Sequence, residues 1–265
     1  MHCPDWLAAI ILGIVEGLTE FLPISSTGHL IVAGKAVGYD HELFDVVIQL
    51  GALGAVWWIF RKKIMEVLSL RTEANRRVSL NLLIGFLPAG ILGFLFHKWI
   101  VQNLFSPRTV ALSLIAGGLA ILLIERRFYH PHRESTEKIT NKHALLVGLA
   151  QCLALIPGVS RSGATILGGL MCGLSRPVAA EFSFLLAMPT MVAAGVFELS
   201  KHWHELNHSI LRELVIGLLI SYVSAWIVVK WFIRFIQRHT FVGFAWYRII
   251  FGVLLLGLIY LGYLG

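Results

Sequence analysis

Apolar and polar residues are sorted along this chain into long blocks. Six apolar blocks, at residues 44–60, 78–97, 109–125, 181–199, 211–230 and 243–263, reach or approach the ~20 residues of helix that cross a bilayer. The first and fourth fall a little short, which leaves their ends open. Two further apolar stretches, 7–33 and 144–170, are each interrupted by Pro, Gly and Ser/Thr, and each reads as helix, loop, helix. The pattern predicts an all-α polytopic membrane protein: one membrane domain over 1–265, with six transmembrane helices and two broken segments.

The polar gaps orient the helices. The gap 61–77 holds Arg61, Lys62, Lys63, Arg71, Arg76 and Arg77; 126–143 holds Arg126, Arg127, Arg133, Lys138 and Lys142; 230–239 holds Lys230, Arg234 and Arg238. The alternate gaps are poorer, with Lys98 and Arg108 in one and Lys201 and Arg212 in the other. Basic-rich gaps belong in the cytoplasm. Followed along the chain, this rule makes 7–33 start and finish outside and 144–170 start and finish inside. Neither crosses, so both are expected to be re-entrant hairpins entering from opposite faces. Irregular backbone at that depth must be buried in protein or line a wet cavity, so the two loops should meet near the midplane.

A repeat supports this. A shift of 135 residues lays "GIVEGLTEFLPISSTG" over "GLAQCLALIPGVSRSG", matching Gly13 to Gly148, Glu16 to Gln151, Ser25 to Ser160, Thr27 to Ser162 and Gly28 to Gly163. Each half, about 7–125 and 144–263, is a hairpin plus three spans. Three is odd, so the second half enters upside down: an inverted-topology repeat, with a site expected where the broken helices meet.

Composition agrees. The chain is 57% hydrophobic and 14% charged, with a mean hydropathy of +0.77, far more apolar than a soluble domain. Its net charge of +7 sits in short gaps between spans and is a topology signal, not a nucleic-acid surface. Cys3, Cys152 and Cys172 lack metal-site spacing and read as small apolar filler. The N-terminus has no basic n-region and carries Glu16 within its apolar run, so it does not read as a cleaved signal peptide. Trp and Tyr read as interfacial belt or packing.

Against this background "VEGLTEFLPISSTGH" concentrates chemistry. Glu16 and Glu20 share one helix face, and two carboxylates in low dielectric repel. Either one is protonated, or a cation lies between them, or they face a polar cleft with a basic partner. Pro23 ends the helix, and Ser25, Ser26, Thr27 and Gly28 form a hydroxyl-rich turn before a new helix whose N-terminus favours anions. The second loop, "PGVSRSGAT", repeats the device with Ser160, Ser162 and Thr165 and adds Arg161, whose guanidinium forks onto phosphate oxygens. The competing reading has Arg161 merely pairing with Glu16 or Glu20 to hold the hairpins together. His29 suits a general acid/base, a nucleophile or a phosphate donor, against a plain polar residue at a hairpin end. His202, His204 and His208 read as outer-loop surface. The inventory suits phosphoryl chemistry or anion binding, and carboxylates beside a phosphate call for a bridging divalent cation such as Mg2+.

"EGLTEFLPISSTGH" with "PGVSRSGATI" resembles the undecaprenyl-pyrophosphate phosphatase family, the bacitracin-resistance membrane proteins, over essentially the whole chain and without departure at the motif positions. The resemblance implies removal of one phosphate from the C55 isoprenoid pyrophosphate, recycling the lipid carrier for cell-wall synthesis. It implies a site in the bacterial inner membrane facing the periplasm. Glu16 and Glu20 would carry the family's glutamate motif and hold a divalent cation, Mg2+ or else Ca2+. Glu20, Ser26, His29 and Arg161 would be catalytic, and Ser25, Thr27, Ser160, Arg161, Ser162 and Thr165 would bind substrate. Ser26 and His29 compete as nucleophile. The rival function is an inverted-repeat transporter of an anion or lipid phosphate. The oligomeric state, a homodimer included, stays open.

Overall fold

The computed structural model describes residues 3–39, 41–129, 131, 135–202, 204 and 208–264. Among them it has ten α-helices and no strand: α1 (Asp5–Thr19), α2 (Ser26–Val37), α3 (Glu42–Ser69), α4 (Glu73–Leu104), α5 (Pro107–Arg127), α6 (Asn141–Cys152), α7 (Arg161–Met171), α8 (Arg176–Lys201), α9 (His208–Ile236) and α10 (Val242–Tyr260). Six are long and apolar enough to cross a membrane: α3, α4, α5, α8, α9 and α10. Arg133, counted above among the basic residues of its gap, lies outside the described residues.

The spans differ from the apolar blocks at their ends. Helix α3 runs on through Arg61, Lys62 and Lys63 to Ser69, and α4 starts at Glu73. A helix keeps its backbone hydrogen bonds wherever it leaves the hydrocarbon, and long basic side chains reach the headgroups from its last turns. The chain turns only where Leu70 takes φ 52° and the Thr72 side chain accepts from Asn75 N–H to cap α4. The basic gap 61–77 is therefore two helix ends and a short turn.

Helices α1, α2, α6 and α7 have 15, 12, 12 and 11 residues. At ~1.5 Å per residue they are roughly 16–23 Å long, short of the ~30 Å hydrocarbon layer. Helix α1 already stops at Thr19 and α6 at Cys152, ahead of Pro23 and Pro157, and each second member is preceded by a serine of positive φ, Ser25 at 69° and Ser160 at 73°. Helix positions recur at the 135-residue shift: α2 falls on α7, α3 on α8 and α5 on α10.

The halves are interlocked. Helix α1 packs along α9 of the other half, α6 packs along α4, α5 pairs with α10, and α3 lies against α8 and α9. Small residues let the backbones approach, the device used where hydrocarbon removes any hydrophobic drive between helices. A Cβ on Gly13 would lie 2.7 Å from Gly217 O, and one on Gly17 2.5 Å from Ser221 O. We expect Gly17→Val to lower the thermal midpoint of the detergent-solubilised protein by about 5 °C or more, since overpacking costs ~1–3 kcal/mol. Gly243→Ala, where a Cβ meets nothing within 4 Å, should leave it unchanged. Equal midpoints would remove close packing as the reason for Gly17.

Candidate active site

The loop joining α1 to α2 is anchored by Phe21, fully buried and edge-on to Phe184 of α8 at 5.3 Å. Its neighbours then face inward. Glu20 Oε2 accepts a 2.6 Å hydrogen bond from Ser26 Oγ, and Glu20 Oε1 accepts one of 2.9 Å from Arg161 Nη2. Arg161, the first residue of α7, also donates to Ser183 O at 3.3 Å and lies over the Phe21 ring at 5.2 Å. Its Nε is buried without a hydrogen-bond partner. The pairing of Arg161 with a glutamate thus occurs, and it still leaves a guanidinium donor unused beside a cavity.

That cavity has a volume of about 150 Å3 and is walled by both loops, including Glu20, Ser25, Ser26, Thr27, Ser160 and Arg161. Six of the predicted site residues therefore converge, from positions more than a hundred apart in the chain. Gln49 of α3 lines it too and links it through Thr27 to a second cavity of about 660 Å3. Small size and polar walls suit a phosphate group.

Four predicted residues stand behind the wall. Ser162 is fully buried, and its hydroxyl donates to Leu22 O at 2.8 Å, clipping one loop to the other. Thr165 Oγ1 lies 2.8 Å from Arg161 O and 2.6 Å from Ser183 Oγ. His29 packs beside Tyr247 and Phe251 of α10, with Nδ1 2.7 Å from Ser25 O and Nε2 2.6 Å from the Tyr247 hydroxyl. Glu16 is fully buried, and neither carboxylate oxygen has a hydrogen-bond partner. A bare buried carboxylate is costly unless it is neutral or matched by a cation.

That orphaned pair of oxygens, one turn from Glu20, is the local fit for a divalent cation. Among the described residues no group of three His, Cys, Asp or Glu side chains could hold a metal by itself. Glu16 and Glu20 are thus the residues that would hold such a cation.

Arg248 was not singled out from the sequence. It is 1% exposed, and its guanidinium donates only to carbonyls: Pro23 of the first loop, Gly158 and Val159 of the second, and Ser113 and Leu114 of α5, at 3.0–3.3 Å. It fastens both loops to each other and to α5, level with Gly117, where a Cβ would come within 2.1 Å of Nη2. The signal was present in the sequence, because an arginine inside an apolar span needs a partner. Its five carbonyl partners could not be read there.

The chain matches the family described as bacitracin resistance protein BacA over residues 9–254. It belongs to that family. It is 52% identical over 262 residues to an undecaprenyl-diphosphatase of Aromatoleum aromaticum, covering 97% of this chain and 95% of that one. It is 53% identical over 267 residues to an undecaprenyl-diphosphatase of Nitrosospira multiformis, covering 97% of each. A third, from Nitrosomonas europaea, is 50% identical with 97% of each covered. The BacA match takes in both loops and Arg248.

Proposed function

We propose that this BacA-family protein hydrolyses undecaprenyl pyrophosphate to undecaprenyl phosphate and inorganic phosphate, recycling the lipid carrier and so conferring bacitracin resistance. The observation that carries the chemistry is the Ser26 hydroxyl 2.6 Å from Glu20 in a polar cavity that also holds Arg161. A nucleophile beside its base is the signature of covalent catalysis. Ser26 Oγ attacks the terminal phosphorus while Glu20 takes its proton. The bond to the bridging oxygen breaks, and undecaprenyl phosphate leaves. Water then attacks the phosphoserine, which releases inorganic phosphate and restores Ser26. Arg161 leaves Glu20 in part to bind phosphate oxygens, and the N–H groups opening α2 and α7 add donors. Glu16 and Glu20 would hold a divalent cation, Mg2+ or Ca2+, which supplies charge neutralisation at the phosphates. Removal of divalent ions by chelation should abolish phosphate release in detergent and readdition should restore it. Undiminished activity in chelator would remove the cation from the reading.

We place the chain in the bacterial inner membrane as one domain of two inverted repeats, with α1–α2 and α6–α7 as re-entrant hairpins and the site facing the periplasm. The four short helices, the crossed packing of α1 on α9 and α6 on α4, and the paired serines of positive φ support the repeat. The larger cavity supports the orientation. It is lined by Gly38, His97, Ser106, Lys201 and Leu264, which sit at the ends of helices on the basic-poor side. With Cys3, Cys152 and Cys172 replaced by serine, a membrane-impermeant maleimide should label Lys201→Cys from outside intact cells and spare Lys63→Cys. The reverse pattern would invert the topology. Phosphate release in detergent, with no gradient, separates the enzyme from a transporter built on the same repeat.

A further inference from the structure

The Tyr247 hydroxyl has no part in the chemistry above, yet it meets His29 at 2.6 Å. A carbonyl can only accept, so the 2.7 Å contact from His29 Nδ1 to Ser25 O puts the proton on Nδ1. In the neutral ring Nε2 is then an acceptor, and the Tyr247 O–H is the donor that matches it. The ring stacks on Phe251 with centroids 4.4 Å apart and lies nearly parallel to Tyr247, with interplanar angles of 21° and 3°. It lines neither cavity.

What this linkage grips is a strained residue. Ser25 holds φ 69°, a conformation that costs a non-glycine residue ~1–3 kcal/mol and persists only where its surroundings enforce it. Its counterpart Ser160, at φ 73°, is fixed by its own side chain, which accepts from Gly163 N–H at 3.1 Å. The Ser25 side chain makes no such capping bond. The constraint on Ser25 comes instead through its carbonyl, from His29. The next residue is Ser26, whose direction toward Glu20 depends on the Ser25 backbone.

We propose that Tyr247 is a positioning residue that acts through the Nδ1-protonated tautomer of His29 to hold Ser25 in its left-handed conformation, aiming the Ser26 hydroxyl at Glu20. This rests on the reading of Ser26 and Glu20 as the reacting pair. His29 then supplies an N–H to the backbone and is not the group that receives the phosphoryl.

Phosphate release from undecaprenyl pyrophosphate by the purified full-length protein tests it. Asparagine carries an N–H where histidine has Nδ1 but nothing in place of Nε2. His29→Asn is expected to stay at least about tenfold more active than His29→Ala, because it keeps the bond to Ser25 O. If His29→Ala does not accumulate, His29→Leu, which refills the space beside Phe251, replaces it. Tyr247→Phe should lower kcat about fivefold at unchanged KM in the wild type, and by less than about twofold in the His29→Asn background. The inference is overturned if His29→Asn is within tenfold of His29→Ala, if Tyr247→Phe has wild-type kcat, if its loss lies in KM, or if its loss is equal in both backgrounds. Ser26→Ala is assayed alongside: full activity there would overturn the Ser26–Glu20 reading itself, whatever the His29 variants do.

Discussion

Glu20→Gln should lower kcat about 1,000-fold. Glutamine keeps the size and one acceptor for the Ser26 hydroxyl, so the 2.6 Å contact with Ser26 can survive in shape. What it cannot do is accept the proton, and positioned general bases contribute roughly 10²–10⁴-fold. The same change releases Arg161 from its 2.9 Å ion pair but also removes one of the two carboxylates proposed to hold the cation, so the diagnostic lies in kcat rather than in KM. A merely structural Glu20 would leave kcat far less affected. Losing an anion that neutralises a mostly buried arginine would disturb both loops and raise KM. Steady-state phosphate release by the purified variant decides it, and a kcat within about tenfold of wild type would rule Glu20 out as the base.

The second large effect is expected from a residue behind the cavity wall that touches none of the proposed reacting atoms. Arg248→Met keeps the length of the side chain and removes every donor. The loop carbonyls of Pro23, Gly158 and Val159 would lose the guanidinium that pairs them. Each unpaired buried group costs ~1–3 kcal/mol, so the sum approaches the ~5–15 kcal/mol that holds a typical fold together. The variant should fail to accumulate or unfold at a much lower temperature, with activity lost in parallel. Arg248→Lys, with three donors in place of five, should recover part of the stability. Gly117→Ala should imitate Arg248→Met, because its Cβ would occupy the space of Nη2. Thermal unfolding followed by size-exclusion profile reads all three. A stable, monodisperse Arg248→Met protein would show that the loops hold their places without it.

These two residues mark how far the sequence reaches. Glu20 was legible because a carboxylate in an apolar run, one turn from another, has few explanations, and the hydroxyl turn after Pro23 supplied its context. Arg161 was legible because the 135-residue shift placed it in the matching loop. Arg248 and Tyr247 were not, although both stand in plain view in the last span. Their partners lie about 90 to 225 positions away along the chain, and no local pattern specifies which carbonyl or ring nitrogen a distant side chain will meet. The same limit separated the ten predicted residues. Sequence spacing put Ser26 and His29 on one short helix, but only packing against α10 turned His29 away from the cavity while Ser26 faced Glu20.

By itself, then, the sequence determined the helical class, six helices fit to span a membrane, the two broken segments and the polar residues proposed to carry the chemistry. Hydrophobic periodicity, proline and charge act locally, within a helix or across one turn, so they can be read locally. The tertiary structure decided which hydroxyl touches which carboxylate, which serines are walls and which are clips, and how a buried arginine holds both loops. Those are outcomes of close packing between halves interlocked through glycines, where an ångström separates a hydrogen bond from a clash.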